Sequence, residues 1–120
     1  MHKQIKVYYL STCDTCKRII KEIEPLCNLE KQDIKVNPVS NIQLDELYRL
    51  SKSYEALFSK SARKYKELDL KNKTLTENDF KKFILEDYTF LKRPVFVFEN
   101  NVFIGNSKST LTELKQKING

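Results

Sequence analysis

Cys13 and Cys16 stand three residues apart in a C-x-x-C motif, the spacing of thiol–disulfide redox pairs. The motif lies where residues 6–10, which have the apolar pattern of a strand, give way to a helical pattern of isoleucines over residues 19–23. At such a turn the free backbone N–H groups and the helix dipole favour a thiolate at Cys13. Because Cys16 follows on the same helical face, it is within reach of Cys13 for a disulfide.

A useful nucleophile at Cys13 needs more than the helix dipole. A free thiol with a pKa of about 8.5 is only roughly 3% ionised at pH 7, and each unit by which a pKa falls requires about 1.4 kcal/mol of thiolate stabilisation. The helix end supplies about 0.3–1 kcal/mol, or up to about 2 kcal/mol in a partly buried site. Backbone N–H groups and a nearby cation must supply the rest, and Asp14 opposes them unless its carboxylate points to solvent.

Three cations are candidates to hold an anion beside the cysteines. Lys17 and Arg18 follow the motif directly, and Arg93 precedes Pro94 at the start of an apolar strand, whose loop can face the same corner. The alternative for Arg93 is a surface cation on a helix-to-strand loop. We favour a catalytic role for Arg93, with Lys17 and Arg18 as further anion-binding candidates and Pro94 as a structural residue of the site.

Zinc is the competing use of a C-x-x-C pair. The third cysteine, Cys27, and the single histidine, His2, offer no second ligand pair at the spacing of a zinc finger. We therefore expect no metal site, and the odd number of cysteines argues against a secreted disulfide scaffold. Cys27 falls in line with the isoleucines of the first helix, so a buried thiol at the helix end is favoured over a third redox residue.

The composition predicts one globular domain, since the 120 residues are 40% hydrophobic and 32% charged. A net charge of +6 fits an anionic partner, but the lysines are mixed with acidic residues along the helices, as on a solvated face, and we expect no direct nucleic-acid binding. The apolar runs are short, so we expect neither an export segment nor a membrane segment and infer a cytoplasmic protein.

The two ends of the sequence predict the strands. The first helix is expected to end within residues 25–28, and residues 32–36 alternate as a second strand, which gives a parallel β-α-β unit. Residues 95–98 and 102–104 are separated by a short polar turn and predict a hairpin. Residues 110–118 then predict a final amphipathic helix.

The middle of the chain, about residues 42–91, is predicted to be a helical block. Its helices are expected over residues 44–52, 61–68 and 76–85. Asn41 is a candidate cap of the first, and Thr76 caps the last together with Asp79. The order β-α-β, helical block, β-β-α predicts an α/β thioredoxin-like fold in a single domain of residues 1–120, with a four-stranded mixed sheet and the block as an insert.

Several stretches together resemble one known family. They are Cys13-x-x-Cys16-Lys-Arg, Tyr65-Lys-Glu-Leu68, Phe90-Leu-Lys-Arg93-Pro94-Val-Phe-Val and Val102-Phe-Ile-Gly105. They resemble the arsenate reductase/Spx family of thioredoxin-like proteins over nearly the whole chain, including the helical insert. In thioredoxin-like folds the proline that matches Pro94 is usually cis and lies against the redox cysteines.

The resemblance implies arsenate chemistry of the glutaredoxin-linked kind. In those reductases the cysteine that matches Cys13 attacks arsenate, and glutathione and glutaredoxin resolve the adduct. Three arginines hold the oxyanion, and Arg93 matches one of them. Ser59 and Asn106 stand at the other two positions, where a neutral side chain cannot replace the charge of a bidentate arginine. The candidates to compensate are Lys60, Arg63 and Lys108.

The Spx branch of the family implies a different use of the same motif. There the C-x-x-C is a disulfide switch in a protein that binds RNA polymerase, and Cys13 and Cys16 match that switch. The glycine that Spx proteins use for polymerase contact is expected within residues 51–61. It is absent, because glycine occurs only at positions 105 and 120.

The residues and the resemblance together predict a thiol–disulfide redox protein in which Cys13 attacks and Cys16 resolves. The implied co-substrate is glutathione or a protein thiol, from a glutaredoxin/glutathione or thioredoxin system, with no bound cofactor. One alternative is a Spx-like redox-sensing regulator that binds RNA polymerase without turnover. Another is a structural thioredoxin-like module whose cysteines are incidental.

Overall fold

The computed structural model describes residues 3–120, and Met1 and His2 lie outside the described residues. The prediction that His2 has no partner for binding zinc therefore concerns a residue outside the described part of the chain. In chain order the elements are β1 (Gln4–Tyr9), α1 (Asp14–Ile23), β2 (Asn28–Asp33), α2 (Asn41–Ser51), α3 (Tyr54–Leu57), α4 (Arg63–Glu67), α5 (Glu77–Glu86), β3 (Val95–Phe98), β4 (Asn101–Ile104) and α6 (Lys108–Asn119). Short 3-10 turns follow α1, α4 and α5, at Glu24–Leu26, Leu70–Asn72 and Tyr88–Phe90.

The chain divides into two compact units. The first contains the described residues up to Asn37 together with Arg93–Gly120, and it holds the sheet and the two cysteines of the motif. The second, Pro38–Lys92, contains α2 to α5 and the helical block predicted at about residues 42–91. That residues 1–120 form a single domain stays a prediction.

The sheet of the first unit has the strand order β2-β1-β3-β4. β1 pairs in parallel with β2, where Tyr9 lies opposite Asp33, and antiparallel with β3, where Tyr8 lies opposite Val95. β3 and β4 form the predicted antiparallel hairpin, and Glu99 in its turn has a left-handed backbone with φ +57°. The predicted four-stranded mixed sheet is therefore confirmed.

One apolar core holds α1 and α6 against the sheet. Its buried members are Ile5 and Val7 of β1, Ile19, Ile20 and Ile23 of α1, Cys27, Phe96 and Phe98 of β3, Phe103 of β4, and Leu114 and Ile118 of α6. Burial of a side chain such as isoleucine or phenylalanine stabilises the fold by about 1.5–3 kcal/mol relative to exposure. The start of α1 is thus fixed relative to β1 by packing along the whole helix.

The predicted second strand was wrong in position. β2 occupies Asn28–Asp33 instead of residues 32–36, because its ladder with β1 ends at Asp33. The next residues form a turn in which the N–H groups of Val36 and Asn37 donate to the carbonyl oxygen of Asp33, over 3.2 and 2.8 Å, and Val36 is 80% exposed. The alternation that suggested a strand therefore belongs to this turn.

The helices of the second unit begin at hydrogen-bonded caps. Thr76 caps α5 as predicted: its Oγ1 accepts the N–H of Asp79 over 3.2 Å, and the Asp79 carboxylate accepts the N–H of Thr76 over 2.8 Å. The predicted Asn41 cap was wrong. Ser40 caps α2 instead, in a reciprocal pair with Gln43, because the serine hydroxyl accepts the Gln43 N–H over 3.0 Å.

The helical block also differs from its prediction between α2 and α5. The helix expected over residues 61–68 is the shorter α4, and α3 is a separate helix capped by Ser53. The Glu77 carboxylate of α5 accepts the N–H groups of Tyr54 and Glu55 in the first turn of α3, over 2.9 and 3.1 Å. A contact of this range cannot be read from periodicity.

No helix within residues 3–120 is both long enough and apolar enough to span a bilayer.

Candidate active site

Cys13 is the residue that immediately precedes α1, as its position at the end of the strand-to-helix turn predicted. Its extended backbone has φ −95° and ψ 112°. Its N–H donates to the carbonyl oxygen of Leu10 over 3.0 Å, and its carbonyl oxygen accepts the N–H of Lys17 over 3.1 Å. The turn Leu10–Cys13 therefore closes on itself and leads directly into the helix, with the half-buried Cys13 thiol at its end.

Cys16 differs from Cys13 in exposure. Its side chain is fully buried, whereas that of Cys13 is partly accessible to solvent. Both thiols are free in the structure, and each acts on the ionisation of the other through a side-chain hydrogen bond. The motif thus consists of an outer thiol that a reagent can reach and an inner thiol in contact with it.

The pKa of the Cys13 thiol is lowered below its ordinary value. Partial burial raises it, but hydrogen bonds from the backbone and the thiol of Cys16, the charge of Arg93 and the backbone of Thr15 together outweigh burial. The thiol makes no capping hydrogen bond of standard geometry, but the backbone N–H groups of Thr15 and Cys16 in the first helical turn still lower its pKa. The predicted contribution of backbone N–H groups and a cation is present here.

Burial raises the pKa of Cys16 to about 11. The backbone of Leu10 and the charge of Arg93 act in the opposite direction, while the hydrogen bond and charge of Cys13 raise the value further. Cys13 is therefore the first of the two thiols to ionise, and the Cys16 thiol, which keeps its proton, then donates a hydrogen bond to the Cys13 thiolate.

Arg93 and Pro94 lie at the start of β3, beside the end of β1, because Tyr8 pairs with Val95. The Arg93–Pro94 peptide bond is cis, Pro94 is buried, and the carbonyl oxygen of Pro94 accepts the N–H of Gly105 over 2.9 Å. The half-buried Arg93 is the cation whose charge acts on both cysteines. This placement is the one that the loop before Pro94 was expected to allow.

The charges at the start of α1 face solvent. The Asp14 side chain is fully exposed and its carboxylate lies 3.8 Å from the Lys17 ammonium, while Arg18 lies 3.7 Å from Glu22. Asp14 therefore does not oppose the thiolate from a buried position. Lys17 and Arg18 are not among the charges that lower the pKa of Cys13, and their role in binding an anion stays a prediction.

The other candidate residues are distributed over both units. Ser59 is buried in the second unit, where its N–H donates to the Phe90 carbonyl oxygen over 2.7 Å and its hydroxyl contacts that of Ser61. Asn106 and the three further candidate cations Lys60, Arg63 and Lys108 are exposed. Lys60 lies 2.8 Å from Glu55, and Lys108 is the first residue of α6.

Cys27 lies in the core of the first unit, as predicted for a buried helix-end thiol. Its thiol donates to the carbonyl oxygen of Ile23 over 3.6 Å. Its pKa is raised, mainly by burial and to a smaller extent by the charge of Glu24. Among residues 3–120 no group of three or more histidine, cysteine, aspartate or glutamate side chains has the arrangement of a metal site.

A contact between β2 and the Leu10–Cys13 turn was not predicted from the sequence. The Asp33 carboxylate accepts the N–H of Ser11 over 3.4 Å. No local signal could have found it, because the end of β2 was placed three residues too late and the contact depends on the register of β2 against β1.

Alkylation of the reduced protein with iodoacetamide between pH 5 and 11 is expected to separate the two thiols. Because the pKa of Cys13 is lowered, its alkylation midpoint should lie below that of Cys16, which should react only near pH 11. Peptide mass spectrometry identifies the modified residue at each pH. Equal rates at Cys13 and Cys16 at pH 7 would contradict this assignment.

Solved structures resemble the chain over nearly its full length. An ArsC family related protein from Bacteroides fragilis is 24% identical with a TM-score of 0.80, and the likeness covers 98% of this chain and 99% of that one. An arsenate reductase from Vibrio cholerae is 17% identical with a TM-score of 0.79, over 96% and 98% of the two chains. A Staphylococcus aureus protein solved by NMR is 27% identical with a TM-score of 0.76, over 91% and 96%.

These likenesses confirm the thioredoxin-like fold class. No protein of curated function matches the sequence. The model of the ArsC family matches residues 8–114, a stretch that includes Cys13, Cys16 and Arg93 and most of the chain. The chain belongs to the ArsC family.

Proposed function

We propose that the chain is a thiol–disulfide redox protein in which Cys13 is the nucleophile and Cys16 the resolving thiol. The observation that carries the proposal is the asymmetry of the pair: Cys13 is partly exposed with a lowered pKa, and Cys16 is buried with a pKa of about 11. The outer sulfur is therefore the one that ionises more readily, and the inner sulfur is shielded from other reagents.

The first step forms a bond between the Cys13 sulfur and the oxidised substrate. With a disulfide substrate, the thiolate attacks one sulfur and the other leaves as a thiolate, which gives a mixed disulfide. The charge and hydrogen bond of Cys13 that had raised the pKa of Cys16 are then lost, so Cys16 gives up its proton more easily than in the resting protein. Its thiolate attacks the Cys13 sulfur, closes the Cys13–Cys16 disulfide and releases the second thiol.

Arsenate is the first oxyanion to test, since structural neighbours include an arsenate reductase. Attack of the Cys13 thiolate on arsenic(V) forms a sulfur–arsenic bond and breaks one arsenic–oxygen bond, and the oxygen leaves as water after it takes up a proton from solvent. Attack by Cys16 on the Cys13 sulfur breaks that bond and leaves its electron pair on arsenic, so that arsenite departs. Two thiols are oxidised to a disulfide, and arsenic(V) is reduced to arsenic(III).

Arg93 would hold the oxyanion or a glutathione carboxylate, since its charge already acts at the sulfur. The disulfide must be reduced for a second cycle, which requires two electrons from glutathione or a protein thiol. We propose a cytoplasmic glutaredoxin/glutathione or thioredoxin system as the source, with no bound cofactor.

A second candidate is a Spx-like redox sensor that binds RNA polymerase without turnover. The observation that favours it is the same adjacent pair, because Cys13 and Cys16 suffice to store one oxidation event as a disulfide. The family resemblance also implies that Ser59 and Asn106 stand where the reductases carry two further arginines, and their neutral side chains would hold an oxyanion less well.

Two measurements on the full chain test the proposal. Mild oxidation should convert Cys13 and Cys16 to one disulfide with a defined reduction potential while Cys27 stays reduced; failure to form that disulfide would refute both redox candidates. Steady-state arsenate reduction with glutathione and glutaredoxin then distinguishes the substrate. A disulfide without arsenate turnover, together with RNA polymerase binding that changes on oxidation, would favour the sensor.

A further inference from the structure

Asp33 is fixed at the end of β2 by hydrogen bonds on both sides. It is the last residue of the β1–β2 ladder, where it lies opposite Tyr9, and the N–H of Ile34 donates to the Tyr9 carbonyl oxygen over 2.9 Å. The carbonyl oxygen of Asp33 accepts two N–H groups of the turn that follows. The backbone of Asp33 is therefore held in register with the end of β1, immediately before the turn that ends at Cys13.

The Asp33 carboxylate points to that turn. Its Oδ1 accepts the N–H of Ser11 over 3.4 Å and the N–H of Lys35 over 3.2 Å. Although burial raises the pKa of Asp33, hydrogen bonds from the side chain and backbone of Ser11 and from Lys35 lower it overall. The carboxylate thus stays ionised at neutral pH and links β2 to Ser11, the second residue of the turn.

This turn contacts both cysteines of the motif. Cys13 is hydrogen-bonded to Leu10 across the turn, and the backbone of Leu10 acts on the Cys16 thiol. Ser11 lies between Leu10 and Cys13, and its N–H donates a hydrogen bond to the Asp33 carboxylate. The hydrogen bond to Asp33 is therefore made two residues before Cys13, within the turn that ends at Cys13.

We propose that Asp33 is a positioning residue of the redox site, which holds the Leu10–Cys13 turn in the conformation where the first turn of α1 and Arg93 stabilise the Cys13 thiolate. This inference rests on the proposed function of Cys13 and Cys16. It assigns to a residue of β2 a part in a site that otherwise consists of β1, α1 and the start of β3.

The sign of a measured change distinguishes positioning from simple electrostatics. The charged groups around the turn are Asp14 and Lys17 on α1, Arg93 before β3, and Asp33 with Lys35 after β2. If the Asp33 charge acted directly on Cys13, its removal would lower the pKa of the thiol. If Asp33 acts by holding the turn, loss of its acceptor oxygens raises that pKa, because the thiolate loses its donors.

The test is the pH dependence of iodoacetamide alkylation at Cys13 in the full reduced chain. Asp33→Ala is expected to raise the alkylation midpoint and to lower the rate at pH 7 about two- to tenfold, the range that one hydrogen bond is worth. Asp33→Asn keeps an acceptor oxygen and should react as the unchanged protein does. Glu30→Ala is the matched control, since it removes an acidic side chain of the same strand that pairs with Lys6 instead of the turn.

A midpoint that falls or stays constant in Asp33→Ala would overturn the inference, and so would an equal rise in Asp33→Asn. Should Asp33→Ala not fold, the amide resonance of Ser11 in the unchanged protein supplies the answer, since it must shift as Asp33 is protonated at acidic pH. Alkylation requires neither a disulfide nor turnover. The inference about Asp33 can therefore fail while the Cys13–Cys16 disulfide forms, or hold while that disulfide does not form.

Discussion

Cys13→Ser should abolish reaction with oxidised glutathione, and Cys16→Ser should stop the reaction at a mixed disulfide on Cys13. The loss of turnover is expected to be at least about a thousandfold in either variant, as for removal of an enzyme's nucleophile or its immediate partner. The reason is exposure: Cys16 is fully buried, and Cys27 lies in the core with a raised pKa. Intact mass spectrometry after addition of oxidised glutathione identifies the trapped species.

Cys16→Ala provides the matched comparison for Cys16→Ser. Both variants lack a resolving thiol, but a serine hydroxyl can still donate a hydrogen bond to the Cys13 thiolate, as the Cys16 thiol does. Initial attack should therefore be slower in Cys16→Ala than in Cys16→Ser, although both accumulate the mixed disulfide. Glutathione found on Cys16 in the unchanged protein, or turnover that survives Cys13→Ser, would contradict the assigned order of attack.

The parts of the fold that could be predicted are those in which burial determines the sequence pattern. β3 is buried from both sides along most of its length, so its continuous apolar run marked its bounds, which are confirmed. β2 lies at the edge of the sheet and is largely polar, with Leu29 as its contribution to the core. The sequence of β2 therefore shows little of the apolar alternation that identifies a strand. Ile34 and Val36 in the following turn show that alternation and led to the wrong position.

The candidate site shows the same division between local and distant contacts. The C-x-x-C motif at a strand-to-helix turn is a local feature, and the structure places Cys13 at that turn as predicted. The difference in burial between Cys13 and Cys16, and the contact of Asp33 with Ser11, depend on how β2 and β3 lie beside β1. Sequence spacing cannot specify those neighbours.

Arg93 is expected to act at Cys13 in two ways, and comparison of a neutral with an anionic disulfide reagent distinguishes them. Its charge lowers the pKa of the thiol, and its guanidinium offers a fork of donors to an incoming anion. At pH 7, Arg93→Ala should therefore slow the reaction with a neutral disulfide such as hydroxyethyl disulfide only because a smaller fraction of Cys13 is ionised. With the dianionic aromatic disulfide DTNB the loss should be larger, about 10- to 100-fold, because a hydrogen bond to a charged group contributes about 1.5–3 kcal/mol.

Arg93→Lys and two lysine variants test which cation acts at Cys13. Arg93→Lys keeps the charge but not the fork, so it should restore the neutral reaction more fully than the anionic one. Lys115→Ala removes an exposed cation that pairs with Glu22 on the surface, and neither rate should change. Lys17→Ala should have a smaller effect than Arg93→Ala, since Lys17 pairs with Asp14 in solvent. Equal losses with both reagents in Arg93→Ala would leave Arg93 as a thiolate stabiliser alone, and the anion would then have to be held elsewhere.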